Sequence, residues 1–315
     1  MTANPPRVSF AIPVFNEEEV VPALLERVGA VLDATPGGPH EVVLVDDGSR
    51  DRTAEMLREA AREDPRLVVV ELSRNFGHQT ALTAALDHTT GDVVLVLDGD
   101  LQDPPEMLPR FLEHWRDGYD VVYGRRVLRK ESPLLRAAYF LFYRLIGALS
   151  DVSLPLDAGD FALLSRQVVD AMKSSPERHR YLRGLRTWVG FRQIGIDVER
   201  AARAAGETKY SLRKLLQLAF DGIFAFSVVP LRGALLLGLM AIVLSSLYTV
   251  YAVVARLVGL VQVPGFTATL VVVVFLSGMQ LLFLGVVGEY VGRIYREVKR
   301  RPHYLVRTVT RGPEA

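Results

Sequence analysis

Apolar runs and amphipathic stretches alternate along the first part of the chain. Val8–Phe15 (VSFAIPVF), Val42–Val45, Leu67–Leu72, Asp92–Leu97 and Asp120–Tyr123 have strand length, and Glu18–Leu32, Thr53–Arg62 and Gln79–Thr89 carry helical spacing between them. Apolar strands separated by helices predict a mainly parallel sheet covered on both faces. Ligands of such sheets sit at the carboxyl ends of the strands. The polar residues gather there: Asn16-Glu17, Asp46-Asp47, Ser73-Arg74-Asn75 and the stretch LDGDLQDPPE at 97–106.

Farther on the pattern changes. Residues 233–255 and 266–288 contain no charged side chain. At about 1.5 Å per residue each run makes a helix of roughly 34 Å, enough to cross a bilayer core. The short link at Gln262–Gly265 turns the two into a hairpin. Arg293, Arg296, Lys299, Arg300 and Arg301 follow it, and Arg213, Lys214 and Arg232 precede it, whereas the link has only Arg256 at its edge. The positive-inside rule therefore predicts a multi-pass protein of the inner (plasma) membrane with both termini cytoplasmic. The opening MTANPPRVSF lacks a signal-peptide pattern, so the N-terminal part is expected to stay on the side where it is made. Tyr210–Ser227 reads as an amphipathic helix lying in the interface.

Composition removes several function classes. Thirty-seven basic against 36 acidic residues give no general signal for nucleic acid, and the absence of cysteine excludes disulfides, zinc thiolates and thiol catalysis. Neither G-x-G-x-x-G nor G-x-x-x-x-G-K-[ST] occurs, so no glycine loop holds nucleotide phosphates. Asp98, Asp100, Gln102 and Asp103 crowd the end of one strand. Carboxylates so close repel one another and favour a cation, and Mg2+ or Mn2+ suits oxygen ligands that bridge to phosphate. Asp103, just before Pro104-Pro105, reads as the N-cap of the next helix.

Seven stretches in order, AIPVFNEEEVV (11–21), LVDDGSRDRT (44–53), LSRNFGHQTALTAALDHTTGD (72–92), LDGDLQDPPEMLP (97–109), YGRR (123–126), DAGDFALLSR (157–166) and AGETKYSLRKL (205–215), carry a resemblance. They resemble the family 2 glycosyltransferases of GT-A fold, and within them the polyprenyl-phosphate group of bactoprenol glucosyltransferases and dolichol-phosphate mannose synthases. The resemblance implies a Rossmann-like catalytic domain at 1–165, acceptor-side and juxtamembrane helices at 166–230, two transmembrane helices at 231–290 and a basic cytoplasmic tail at 291–315. It implies inverting, metal-dependent transfer of a hexose, UDP-glucose favoured, from a nucleotide-sugar to a polyprenyl phosphate by a homo-oligomer, a tetramer among its forms.

On that resemblance Asp98-Gly-Asp100 is the D-x-D motif, with Gln102 completing the metal shell. Pro13, Asn16, Glu17, Asp46 and Asp47 hold the nucleoside, and Asn75 and Gly77 lie near the diphosphate. His78-Gln79 stands where many relatives carry Lys-Glu; His78 itself reads as a surface or helix-start residue. Asp157 and Asp160 match the segment of the family's proposed base. A lipid phosphate is already mostly a dianion near neutrality, so these carboxylates are expected to orient acceptor or sugar. Arg125, Arg126, Arg183, Arg203, Lys209 and Arg213 are the expected phosphate contacts, with Arg180, Arg183 and Arg186 at spacing three on one side of a helical segment. Two rivals are a processive polysaccharide synthase and a non-catalytic scaffold with a relic pocket. Against the first, GDF (159–161) replaces T-E-D and Arg186-Thr-Trp188 breaks Q-x-x-R-W.

Overall fold

The structure, a computed structural model, describes residues 5–126, 158–175, 177, 180–198, 229–258 and 266–313. The roles expected of Asp157, Arg203, Lys209 and Arg213, and the interfacial helix expected at 210–227, fall outside these residues.

Eight strands form one sheet: β1 (Val8–Val14), β2 (Glu41–Asp46), β3 (Leu67–Leu72), β4 (Val93–Val96), β5 (Val121–Arg126), β6 (Ala158–Ser165), β7 (Gln193–Val198) and β8 (Val306–Arg311). Their order is β7-β5-β6-β4-β1-β2-β3-β8. The β3-β2-β1-β4 block is parallel, as is β5 with β7, whereas β6 runs antiparallel between β4 and β5 and β8 runs antiparallel to β3.

Alternation along the strands explains why both faces are apolar. Phe10 and Ile12 of β1 and Leu44 of β2 point into one layer with Leu24 and Val28 of α1 (Val21–Asp33), Leu57 of α2 (Thr53–Glu63), and Leu108 and Phe111 of α4 (Leu108–Arg116). Ala11, Val43 and Val45 point the other way, against Leu82 and Leu86 of α3 (His78–His88), Val169 and Met172 of α5 (Arg166–Ser174), and Leu182 and Leu185 of α6 (Leu182–Trp188). Successive side chains of a strand take opposite faces, so a strand buried on both reads as one apolar run.

The other compact unit holds α7 (Val229–Leu257) and α8 (Phe266–Val298). Within them Leu231–Ala255 and Val272–Val298 have mean hydropathies of 2.0 and 1.9 and length enough to cross a membrane. Leu235, Leu244, Leu257, Leu281 and Leu284 are exposed along them, as a lipid-facing surface requires and a water-soluble core does not.

The expected domain boundaries shift in two respects: α5, α6 and β7, expected among acceptor-side and juxtamembrane helices at 166–230, belong to the compact unit of the sheet, and so does the end of the chain. The segment read as a basic tail instead returns to the sheet: Val68, Val69 and Val70 pair with Arg311, Thr310 and Val309. The edge of β3 would otherwise present unpaired backbone groups. Tyr304 anchors the return, its hydroxyl donating to Asp87 Oδ2 at 2.9 Å, and Ser73 N donates to Leu305 O at 2.8 Å. Ending the chain at Arg301 is therefore expected to lower the thermal midpoint and to speed amide exchange at Val68–Leu72. Unchanged exchange there would show that β8 does not support the sheet.

Candidate active site

The loops after β1, β2 and β3 are tied to one another by the residues expected to contact the nucleoside. Pro13 lies in β1 opposite Val45. Asn16 adopts a left-handed φ of 54°, where asparagine is tolerated, and its Oδ1 accepts from Arg50 N at 2.8 Å while its own N donates to Ser49 Oγ at 2.9 Å. Glu17 N donates to Thr53 Oγ1. The two aspartates ending β2 divide the remaining work. Asp46 accepts from Ser49 N, and Asp47 accepts from Phe76 N at 2.7 Å and Gly77 N at 2.9 Å. Burial pushes the Asp47 carboxyl up, with those two amides pulling against it. Gly48 permits the close approach: its φ is 71°, and an added Cβ would stand 2.6 Å from the carbonyl carbon of Arg74. Asn75 is exposed beside it on the stapled loop.

Asp98 and Asp100 leave the end of β4 in the turn Leu97–Gln102, where Leu101 takes a φ of 55° and Asp100 Oδ1 accepts from Gln102 N at 3.1 Å. Gln102 and Asp103 are buried. Pro104, not Asp103, occupies the N-cap of the 3-10 turn Pro105–Met107, which corrects the capping role expected of Asp103. The Asp103 charge instead adds to the acidic cluster. Burial first, then the Asp160, Asp103 and Asp100 charges, raise Asp98 to about 6.

β6 brings Asp160 to the same place. Its side chain, 4% exposed, accepts from Arg183 Nε at 2.8 Å and Nη2 at 3.0 Å, and from Gln79 Nε2 at 3.2 Å. Burial alone would raise this carboxyl, but the His78 and Arg183 contacts hold it far below the usual range. Ionised and gripped on both oxygens, Asp160 is not a proton acceptor at neutral pH.

His78, expected as a surface or helix-start residue, does start α3 and is exposed; what sequence reasoning missed is that it also sets Nε2 3.4 Å from Asp98 Oδ1 and 3.6 Å from Asp160 Oδ2. Burial disfavours its charged form, yet the two carboxylates outweigh this and raise its pKa. Gln79 was also underread: its Oε1 accepts from Leu182 N at 3.0 Å, joining α3 to the start of α6. The available signal was the replacement of a Lys-Glu pair by His-Gln, which keeps the pair's net charge near zero.

The cations separate into distinct roles. Arg125 pairs with Asp197 at 2.6 Å, and Arg126 closes β5. Arg180 lies outside α6, and its Nη2 donates to Lys173 O and Ser175 O at the end of α5, so the three arginines do not share one helix face. Among the described arginines expected to contact phosphate, Arg183 and Arg186 are the two that lie around Asp160.

Ligand chemistry fits the acidic turn. Among the described residues no three histidine or acid side chains converge as a metal cage. Asp98, Asp100 and the Gln102 amide oxygen nevertheless form a partial set of hard oxygen donors. Mg2+ is commonly held by one or two carboxylates with substrate phosphates supplying the rest.

Residues 9–172 match the glycosyl transferase family 2 profile. The uncharacterised glycosyltransferase YkcC of Bacillus subtilis strain 168 is 43% identical over 299 residues, which span 95% of this chain and 92% of that one. The bactoprenol glucosyl transferase of Shigella phage SfX is 40% identical, over 96% and 99% of the two chains. Among solved structures, the mannosyltransferase PcManGT from Pyrobaculum calidifontis, in complex with GDP-Man and Mn2+, matches 95% of this chain and 89% of its own with a TM-score of 0.49 at 19% identity. The chain belongs to glycosyl transferase family 2, and its mixed, mostly parallel sheet is the family's GT-A fold.

Proposed function

We propose that the protein transfers one hexose from a nucleotide-sugar, UDP-glucose favoured, to the phosphate of a polyprenyl lipid at the cytoplasmic face of the membrane. The observation that carries this is the near full-length likeness to a bactoprenol glucosyl transferase, in a chain that also has two apolar helices of spanning length.

Asp98, Asp100 and the Gln102 amide oxygen would hold Mg2+ or Mn2+, which neutralises charge on the departing nucleoside diphosphate. The stapled loops of Asn16, Glu17, Asp46, Asp47, Asn75 and Gly77 would form the rigid floor under the nucleoside. They would hold it in place without reorganisation. The acceptor phosphate is mostly a dianion at neutral pH, so its oxygen attacks the anomeric carbon without surrendering a proton. That removes the need for a base and agrees with an Asp160 held ionised by Arg183. Asp160 would instead fix Arg183, whose Nε and Nη2 go to the carboxylate, leaving Nη1 for the acceptor phosphate.

Topology supports the hairpin. β7 precedes the two apolar helices, β8 follows them, and both strands belong to one sheet. A chain crossing a bilayer between them must cross an even number of times. The basic residues after the second helix favour the cytoplasmic side for that sheet.

Release of nucleoside diphosphate from a panel of UDP- and GDP-sugars tests the reading, using the full chain in detergent micelles. Release is expected with one donor, and only when both polyprenyl phosphate and divalent metal are present. Release that ignores the lipid would overturn the acceptor.

A further inference from the structure

Behind Asp160 the interior contains a charge that the transfer reaction does not use. Arg186 is 2% exposed, with Nη1 donating to Gly159 O at 3.3 Å and its guanidinium carbon 4.9 Å from the centre of the Tyr123 ring. Nε and Nη2 are buried and reach no hydrogen-bond partner. The neighbouring carboxylate attracts it but spends its hydrogen bonds on Arg183 and Gln79.

A cavity of about 20 Å3 adjoins these groups, lined by Arg186, Arg183 and Asp160 and by apolar side chains including Leu86, Ala162 and Met172. A space of that size takes one water or one small ion. Of the groups that line the cavity, two guanidiniums share a single carboxylate. An uncompensated buried charge costs several kcal/mol, and charges deep in proteins are paired. Water could accept from both N–H groups and would still leave the guanidinium without a counter-ion of its own. A monatomic anion would satisfy both, and the apolar walls suit a weakly hydrated halide better than phosphate, which is too large for the space.

We propose that the chamber lined by Arg186, Arg183 and Ala162 is a halide site, with chloride as the occupant that Arg186 Nε and Nη2 hold beneath the Asp160–Arg183 pair. Its ligand would be distinct from both substrates, and the anion would pair with the Arg186 guanidinium.

Thermal unfolding of the full chain in detergent, at constant ionic strength, tests this by exchanging sodium gluconate for sodium bromide. Gluconate is too large to enter. A rise of roughly 3 °C is expected once bromide reaches about ten times its dissociation constant, growing with the logarithm of concentration beyond it. Arg186→Met is expected to abolish the rise. Ala162→Val, which fills the chamber and retains the arginine, should abolish it as well, and this variant decides the matter if Arg186→Met does not fold. Crystals grown in bromide should show an anomalous peak beside Arg186. Equal midpoints in both salts, a bromide response that survives Ala162→Val, or a water without anomalous signal would each overturn the proposal.

Discussion

Asp100→Asn is expected to leave the fold intact and lower sugar transfer about a thousandfold. Loss of one preorganised electrostatic contact to the developing charge costs about two to three orders of magnitude in rate, and Asp100 would be one of only two carboxylates on the metal. Its side chain closes the Gln102 turn, a contact that asparagine retains. Asp98→Asn should be as damaging to transfer but opposite in its effect on stability. With the folded carboxyl at about 6 and the unfolded one near 3.8, the folded state binds more protons between those values. Stability contributed by this group therefore falls as pH rises through that window, and ionised Asp98 destabilises the metal-free protein above it. In EDTA at pH 7.5, Asp98→Asn is expected to melt several degrees above the unsubstituted chain, a gain on the order of 2 kcal/mol. The gap should close toward pH 4, and Mg2+ should raise the midpoint of the unsubstituted chain alone. A variant less stable at pH 7.5 would contradict the account of this turn.

The second large effect is on stability. Asp160→Ala removes the carboxylate that Arg183 and Gln79 share, and leaves two arginines in one buried neighbourhood. Breaking a buried ion pair from one side costs about 3–5 kcal/mol. For a domain of this size that corresponds to a fall of roughly 10 °C in the midpoint. Because folding depresses the Asp160 pKa, its contribution is complete at neutral pH and is lost as pH falls below the ordinary aspartate value toward the folded one. The difference between the two proteins should therefore be full at pH 7 and shrink in acid. Asp160→Asn, which keeps the shape and one acceptor oxygen, should cost less. If it retains transfer while Asp160→Ala does not, the residue positions Arg183 and takes no proton.

The sequence showed the site at the level of strand ends and no finer. β1 to β5 were legible because strands covered on both faces carry apolar residues at every position, and the first four runs stopped near an acidic or amide residue of the candidate site. β6 was harder to see: DAGDFALLS reads as a motif around Asp160, and only pairing with β4 and β5 reveals a strand. β8 was not legible, since VRTVTR is an exposed edge whose stability comes from the row of backbone groups on β3. Arg186 escaped because a basic residue at helical spacing looks solvated until the topology brings other elements over it, as it does here. Asp46 and Asp47 were expected to meet the nucleoside, and the geometry gives their carboxylates a prior engagement with the backbone of neighbouring loops.

The most direct measurement is the mass of the lipid product. Purified full-length protein would be incubated with Mg2+, excess UDP-glucose and polyprenyl phosphate, and the extracted lipid weighed by mass spectrometry. The account predicts a single new species heavier than the acceptor by one hexose, absent with EDTA and absent with Asp100→Asn. A ladder of several hexoses would place the chain among polymerising synthases, and unmodified lipid across the whole donor panel would contradict the proposed reaction.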